Sequence, residues 1–424
     1  MNDNRKALFS ALFPVALGML LVLSGPAPAA AGNLAVQSGS KYSGNYGLQV
    51  TPDSTAAFVQ SSHPSSEKAY RVRFYVNLTR LELASNSDFD LFAAYSGADP
   101  APTAAPTGNP VLRASVRQQS DGTKVLDLFT WTDSGEVQSS SSPQLRDGWH
   151  AVELQWSGAT AAGANNGSVN LWVDGQPRTT GLAGLDSDTQ VINYARWGSV
   201  SGASTASPPP GVAVNTFKVD EFSSQRSGYI GQVQVFTDVP ATDPLFRFIQ
   251  GLYAAEVTAG CGNGTTYCPG DNVTRDQMAV FLERGSRGAL FTPPAASGIF
   301  ADVPAGSFFA PFIEQLFRDG VTAGCATSPP QYCPSSPVMR DQMAVFLLRA
   351  KYGPSYTPPP ATGTVFNDVP ANAFAAAFIE RLAAEGISTG CGGGSYCPHS
   401  PVTRAQMAVF LVRTFSFPTQ DVGP

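Results

Sequence analysis

Hydrophobic and polar residues alternate through the first half of the chain. In segment 69–78 every second residue is apolar, and segments 148–156 and 168–173 show the same alternation. A period of two is typical of β-strands that bury one face. The third segment runs into Asp174-Gly175, a dipeptide that favours a tight hairpin turn. Many short strands with turn residues between them predict an all-β jelly-roll sandwich over residues 32–231.

The second half of the chain follows a helical period and repeats itself three times. The strings FTDVP, FADVP and FNDVP begin at Phe236, Phe300 and Phe366. Each is followed by a glycine-cysteine pair, a Tyr-Cys-Pro run and a string close to VTRDQMAVFL. Apolar spacings of three and four predict a helix, a loop and a second helix in each copy. A period of about 65 residues suggests copies that pack on one another, as 232–290, 291–356 and 357–417.

A helix-capping motif precedes the second helix in the first and third copies but not in the middle copy. Thr274 precedes Gln277 by three residues, and Thr403 precedes Gln406 in the same way. This spacing is typical of a capping box, in which the two side chains satisfy orphan amides of the first turn. Met339 takes the equivalent place in the middle copy, which therefore lacks a hydroxyl cap.

The first 31 residues have the composition of an export signal. Arg5 and Lys6 precede an apolar stretch that ends in a run of alanines near Ala31. The stretch is short for a spanning helix and is interrupted by Pro14, so we expect cleavage rather than anchoring in a membrane. No later segment has the length to span, which predicts a secreted protein of the cell surface or envelope.

Composition narrows the class of partner. Charged residues make up 14% of the chain, Gly and Pro number 41 and 34, and the formal net charge is −6. This balance favours loop-rich extracellular structure and argues against nucleic acid as a partner.

The six cysteines form one close pair per repeat. An even count in an exported chain predicts disulfides rather than metal ligands. A metal site would need two further ligands for each pair, and His399 is the only histidine nearby. The predicted bridges are Cys261–Cys268, Cys325–Cys333 and Cys391–Cys397.

The repeated pattern resembles the S-layer homology module, over about Gln232 to Phe417 and in three copies. The resemblance implies grooves that hold an anionic cell-wall polysaccharide, often one bearing ketal-linked pyruvate. In that family a Thr-Arg-Ala-Glu element opens the second helix, and carrying it over residue by residue gives a predicted polysaccharide site. A helix N-terminus with an adjacent arginine also favours an anion on physical grounds. The predicted site residues are Thr274, Arg275, Arg340, Thr403 and Arg404.

The N-terminal β domain, the head, resembles the concanavalin A-like and laminin-G-like jelly rolls through segments 148–156, 171–175, 195–200 and 219–226. The resemblance implies two antiparallel sheets that bind a glycan or a protein. Some relatives bind calcium, so a calcium ion in the sandwich stays open; we expect no other cofactor. Trp131, Trp172 and Trp197 are candidates to stack on a sugar or to fill the core.

Glycan hydrolysis on this fold needs two close carboxylates, supplied in relatives by a Glu-x-Asp-x-x-Glu strand. That pattern is absent, and neither Asp88/Asp90 nor Asp220/Glu221 has its spacing. The sequence therefore predicts a non-catalytic envelope protein that the repeats anchor to wall polysaccharide. Two alternatives remain open: a structural surface-layer protein, and a wall-tethered glycan hydrolase or lyase.

Overall fold

The computed structural model describes residues 33–101, 103–139 and 141–421. The predicted export signal lies outside these residues. The chain divides into two compact units, one ending at Val233 together with the last four residues, the other spanning Gln234–Gln420. A search of the described residues finds no helix with the length and hydrophobicity needed to cross a bilayer.

The N-terminal unit is built from strands, and the predicted alternation reflects their two faces. At every second position of 70–76 the side chain enters the core, as the period of two requires. The described strands are β1 (Asn33–Gln37), β2 (Gly47–Thr51), β3 (Ala57–Glu67), β4 (Ala69–Asn77), β5 (Asp88–Tyr95), β6 (Pro110–Gln118), β7 (Lys124–Thr132), β8 (Gly135–Gln138), β9 (Trp149–Ser157), β10 (Gly167–Val173), β11 (Gln176–Leu185), β12 (Ile192–Ser199) and β13 (Phe217–Gln225).

These strands form two sheets. Sheet A has the order β1-β2-β13-β4-β9-β10-β11, and sheet B has the order β3-β12-β5-β6-β7-β8. Neighbouring strands pair antiparallel throughout both sheets. One hydrophobic core takes side chains from both sheets, including Phe74 and Trp156 of sheet A and Phe92 and Leu112 of sheet B. The predicted all-β sandwich is confirmed.

The C-terminal unit contains three helix pairs in the described residues. The first helix of each pair has nine residues and the second has twelve or thirteen. The helices are α1 (Phe246–Ala254), α2 (Arg275–Arg287), α3 (Ala310–Arg318), α4 (Arg340–Tyr352), α5 (Ala376–Ala384) and α6 (Arg404–Phe415). A hairpin of β14 (Ala326–Thr327) and β15 (Pro330–Gln331) interrupts the middle loop. We call the three helix pairs with their loops repeats 1, 2 and 3.

The three repeats close into a ring. Val273 donates its amide to Val402 O, Val402 to Val338 O and Val338 to Val273 O, each at 2.9 Å. Apolar side chains from all six helices then share one core. Each repeat exposes backbone groups that only its neighbours satisfy, so the copies pack on one another as their period predicts.

Each loop between the helices of a repeat contains a glycine and a disulfide bridge. Gly260, Gly324 and Gly390 have φ of +87°, +84° and +91°, and a Cβ at any of them would overlap the carbonyl oxygen of residue 266, 331 or 395. The three predicted disulfides follow immediately and are all present. Glycine is therefore required where each loop turns back on itself.

Candidate functional site

The three predicted arginines begin the second helices, and all are buried. Arg275, Arg340 and Arg404 are 6%, 2% and 5% exposed. Each donates from Nε to the backbone carbonyl of a tyrosine in the next repeat, at 2.7 or 2.8 Å. The acceptors are Tyr332, Tyr396 and Tyr267.

Each tyrosine returns the contact. Its hydroxyl donates to the backbone carbonyl of the same arginine at 2.8 or 2.9 Å. The guanidinium carbon also lies 4.7 or 4.8 Å from the centre of the tyrosine ring, a cation–π distance. Burial raises the pKa of all three phenols, so they remain protonated donors. Repeat 1 is joined to repeat 2, repeat 2 to repeat 3, and repeat 3 back to repeat 1.

The amides of these helix starts are already occupied. Arg275 N and Asp276 N donate to Ser336 O and Pro334 O of repeat 2, and the corresponding amides of repeats 2 and 3 do the same around the ring. The expectation that free first-turn amides would attract an anion is therefore wrong for these positions. The groups that would bind an anion instead hold neighbouring repeats together.

The capping prediction is confirmed in repeat 3 and wrong in repeat 1. Gln406 N donates to Thr403 Oγ1 at 3.3 Å, and Gln406 Oε1 accepts from Thr403 N at 3.4 Å. In repeat 1 the Thr274 hydroxyl is bonded to the Asp276 carboxylate. Asp276 also takes the Gln277 amide at 2.7 Å. The acidic residue in the first turn displaces the threonine from its capping role.

The outer nitrogens of the three arginines are used differently. Arg404 Nη2 donates to Gly260 O at 3.0 Å, and Arg340 reaches Ser388 and Gln406 at 3.5 Å. Arg275 Nη2 is buried and has no hydrogen-bond partner among the described residues. Of the predicted arginines, Arg275 thus has an outer nitrogen that no described residue uses as a donor.

Sequence reasoning missed the tyrosines and the aspartates that fix them. The aspartate of each FxDVP string accepts the amides of the tyrosine and of the following cysteine, at 2.7 or 2.8 Å. Each Tyr-Cys-Pro run is thereby held in place beneath an arginine. The signal was present, because aspartate and tyrosine recur at the same place in all three copies.

On sheet A, the face turned away from the core is polar but covered. Glu153 of β9 is 2% exposed and accepts from Arg71 Nε, from Ile230 N at 2.9 Å and from Gly231 N at 3.1 Å. Tyr75 is bonded to the side chain of Gln232. Residues 229–233 of the same unit therefore cover Glu153 and Tyr75 on this face.

On sheet B, the equivalent face keeps charged groups partly open. Arg113 of β6 donates from Nη1 to Asp90 of β5 at 3.0 Å and from Nη2 to Glu136 of β8 at 2.9 Å. The side chains of Asp90 and Glu136 are 14% and 33% exposed. Trp131 pairs with Glu136 across β7 and β8 and is half-buried. Two carboxylates thus lie on one guanidinium beside an aromatic ring.

The other two tryptophans are used by the fold. Trp197 belongs to the core and stacks on Phe222 with ring centres 4.0 Å apart. Trp172 lies under the Arg71 guanidinium, 4.2 Å from its carbon. Of the three candidates, Trp131 is the one that is outside the core cluster and shows no such ring contact among the described residues.

Three carboxylates in the sandwich could hold a hard cation. Asp133, Asp186 and Asp188 offer oxygen atoms that lie within 4.8 Å of one another. Oxygen donors of this kind suit calcium, which leaves the earlier expectation about calcium in place as an expectation.

Solved structures with a similar fold include carbohydrate-active proteins. An endo-β-1,4-glucuronan lyase from the fungus Trichoderma reesei has a TM-score of 0.35 and 14% identity, covering 47% of this chain and 89% of that one. The alginate lyase vAL-1 from Chlorella virus has a TM-score of 0.32 and 12% identity, covering 46% and 90%.

A curated sequence gives a further match. An endoglucanase of Bacillus sp. (strain KSM-635) is 27% identical over 175 residues, which are 41% of this chain and 18% of the endoglucanase. Most of that enzyme lies outside the match. The prediction of a non-catalytic protein is contradicted by this match to a carbohydrate-active enzyme. The absence of one carboxylate pattern excluded only relatives that place both acids on a single strand.

The family model described as "S-layer homology domain" matches residues 235–279 and 365–408. These ranges fall in repeats 1 and 3 and include the arginine, tyrosine and aspartate of the ring in each. The C-terminal unit of this protein therefore carries S-layer homology domains.

Proposed function

We propose that this protein is a wall-anchored, carbohydrate-active protein of the cell surface. The observation that carries the proposal is the pair of S-layer homology matches in a chain that also matches an endoglucanase. The C-terminal repeats bind an anionic wall polysaccharide, and the β-sandwich head acts on a glycan, as a hydrolase or a lyase. The protein acts at the cell wall, on the outer side of the cell membrane.

Anchoring is assigned to the ring of repeats, with Arg275 as its anion contact. Its Nη2 is a buried donor without a partner among the described residues, whereas Arg404 Nη2 is bonded to Gly260. A carboxylate on the polysaccharide would satisfy that donor with a charge-assisted hydrogen bond. Arg340 and Arg404 support the same surface by bonding to the next repeat, and the backbones of Thr274 and Thr403 form β-bridges to Pro337 and Asn272 of neighbouring repeats.

Co-sedimentation of the full chain with purified wall sacculi tests the anchor. We expect Arg275→Gln to weaken binding and Tyr396→Phe to leave it intact, because the second change removes a ring hydrogen bond without touching Arg275. The melting temperature of both variants separates loss of binding from loss of fold. Wild-type protein that stays in the supernatant would refute the anchor.

The head's chemistry is assigned to the outer face of sheet B. Two carboxyl groups that flank a sugar can serve as general acid and as base or nucleophile in glycoside hydrolysis. Asp90 and Glu136 are carboxylates on opposite arms of Arg113, and both reach solvent. Trp131 supplies an aromatic face of the kind that sugar rings stack on. Sheet A offers less, because residues 229–233 cover Glu153 and Tyr75 on the corresponding face.

Incubation of the full chain with soluble glucans and wall polysaccharides tests the activity. New reducing ends indicate hydrolysis, and ultraviolet absorbance of unsaturated ends indicates elimination. We expect Glu136→Gln and Asp90→Asn each to lower either signal by about a hundred-fold or more, as for loss of an acid or base group. Asp88→Asn, on the same strand but exposed, is the matched control. Equal activity in all four proteins would move the site elsewhere.

A further inference from the structure

A cavity lies where repeat 1 meets repeat 2, at the far end of the second helices from the arginine ring. Its volume is 340 Å³, which is at the lower end of the range for small-molecule sites and suits about one sugar ring. The C-terminal ends of α2, α3 and α4 form its walls. Its lining residues are Glu283, Ser286, Arg287, Leu316, Asp319, Val321, Arg349, Ala350, Gly353 and Pro354.

One wall carries two carboxyl groups and the arginine they share. Arg287 Nε donates to Glu283 Oε2 at 3.0 Å, and Arg287 Nη2 is bonded to Asp319. Glu283 is 2% exposed. Burial raises its pKa to about 7, with the nearby Asp319 carboxylate adding to the shift and Arg287 opposing it. Near neutral pH this carboxyl can therefore carry a proton and donate a hydrogen bond.

The cavity is also lined by Arg349 of α4, whose Nε has no partner among the described residues. Arg349 Nε is buried, and no described residue accepts a hydrogen bond from it. The residue at the same place in repeat 3, Arg413, donates to Gly386 O at 3.1 Å and to Ile387 O at 3.3 Å. Buried donors without acceptors are rare in folded proteins, so Arg349 Nε lacks an acceptor that a bound group could supply.

Glu283 has no acidic counterpart at the same place in the other two repeats. The place of Glu283 is taken by Leu348 in repeat 2 and by Val412 in repeat 3. Because the other two repeats join the ring without an acid at this place, closing the ring does not require Glu283. Its presence in the same cavity as an arginine with an unpaired buried nitrogen points to a ligand.

We infer that this cavity binds a single sugar acid, a pyranose ring that bears one carboxylate. The guanidinium of Arg349 takes the carboxylate, since its planar edge matches two oxygens. Glu283 and Ser286 bond the ring hydroxyls, and the apolar side chains of Leu316 and Val321 face the C–H side of the ring. This site is separate from the Arg275 contact and does not depend on wall binding or on activity of the head.

The test is calorimetric titration of the full chain at pH 6 with D-glucuronate, D-glucose and inorganic phosphate. We expect glucuronate to bind at one site, and Arg349→Gln to weaken it by at least about ten-fold, the effect of one charge-assisted hydrogen bond. Arg413→Gln is the matched control and should leave the affinity unchanged. Glucose should bind at least ten-fold more weakly than glucuronate, because it lacks the carboxylate.

The pH dependence gives a second readout. The cavity holds Glu283, Asp319, Arg287 and Arg349 as its titratable and charged groups. Ionised Glu283 would repel a bound carboxylate, so affinity should fall between pH 6 and pH 8. In Glu283→Gln the affinity should persist and lose that dependence.

Three outcomes would overturn the inference. They are no glucuronate binding, equal binding by Arg349→Gln, and phosphate binding as tight as glucuronate. The last would mark an unselective anion site. Melting temperatures of the variants show whether any loss comes from unfolding.

Discussion

At the residue scale, the arginines that look like ligand contacts first serve the fold. Each is buried between its own helix and the next repeat, and each exchanges hydrogen bonds with one tyrosine. A buried cation keeps its charge only when carbonyls and rings surround it, and the backbone carbonyl and the ring face provide this. Loss of wall binding in an arginine variant therefore needs a stability measurement beside it.

We predict that Arg340→Ala lowers the free energy of unfolding by about 2 to 3 kcal/mol, because Tyr396 O loses a charged donor inside the core. Urea denaturation of the full chain measures the change. Arg318→Ala, on the surface of α3, should cost well under 1 kcal/mol. Equal effects of the two changes would contradict the structural role of Arg340.

A second residue-scale prediction concerns Glu283. Its pKa in the fold is about 7, above the usual value of 4.5, so the folded state binds its proton more tightly than the unfolded state. The stabilisation is complete below pH 4.5 and is lost as the pH rises to about 7. Urea midpoints between pH 5 and pH 8 should therefore fall less steeply for Glu283→Gln than for the wild type.

Glu314→Gln is the control of opposite sign. The pKa of Glu314 is lowered in the fold. Burial alone would raise this pKa, but hydrogen bonds from the amides of Ser297, Gly298 and Ile299 together lower it. Its contribution is lost as the pH falls below about 4.5, and not in the window where Glu283 titrates. Parallel curves for the wild type and Glu283→Gln would contradict the assignment.

At the element scale, three nearly identical helix starts differ in how they are capped. The hydroxyl of Thr403 caps α6 through the Gln406 amide, whereas the hydroxyl of Thr274 is turned to Asp276. A single acidic residue in the first turn changes the capping group. Similar sequences therefore do not guarantee the same hydrogen bonds.

We predict that Thr403→Ala costs about 1 kcal/mol of stability and Thr274→Ala less than half of that, because only Thr403 loses a cap. Asp276→Ala should be the costly change at α2, since Asp276 holds the Gln277 amide. Thermal unfolding of the three variants gives the order. A larger effect of Thr274→Ala than of Thr403→Ala would contradict the capping pattern.

At the scale of the whole molecule, the ring has no free end. Repeat 3 donates Arg404 to Tyr267 of repeat 1 and receives Arg340 of repeat 2 on Tyr396. In an open array of repeats, removing a terminal repeat breaks one junction and leaves the others intact. In a closed ring, removing any one repeat breaks two junctions.

We predict that a chain ending after Tyr356 loses the cooperative unfolding of repeats 1 and 2. The measurement is amide exchange at Val273 and Val338, whose hydrogen bonds belong to the central ring. The full chain is the reference and should protect both amides. Protection in the shortened chain would show that two repeats suffice.

The sequence alone determined the kinds of element and their order along the chain. Alternation specified the strands of the head, and the threefold strings specified helix, bridged loop and helix, because period and turn chemistry act over a few residues. It also determined the three disulfide pairs, since each joins cysteines of one short loop. The same local reading failed for Thr274, where a neighbouring carboxylate competed for the bond.

Only the tertiary structure decided what the polar residues do. Arg275 and Tyr332 are 57 residues apart, and Asp90, Arg113 and Glu136 come from three strands, so no local pattern brings them together. The cavity at Glu283 and Arg349 exists only where two repeats meet. Whether a charged side chain is a ligand contact or a structural contact depends on its neighbours in space, because burial and partners determine its energy.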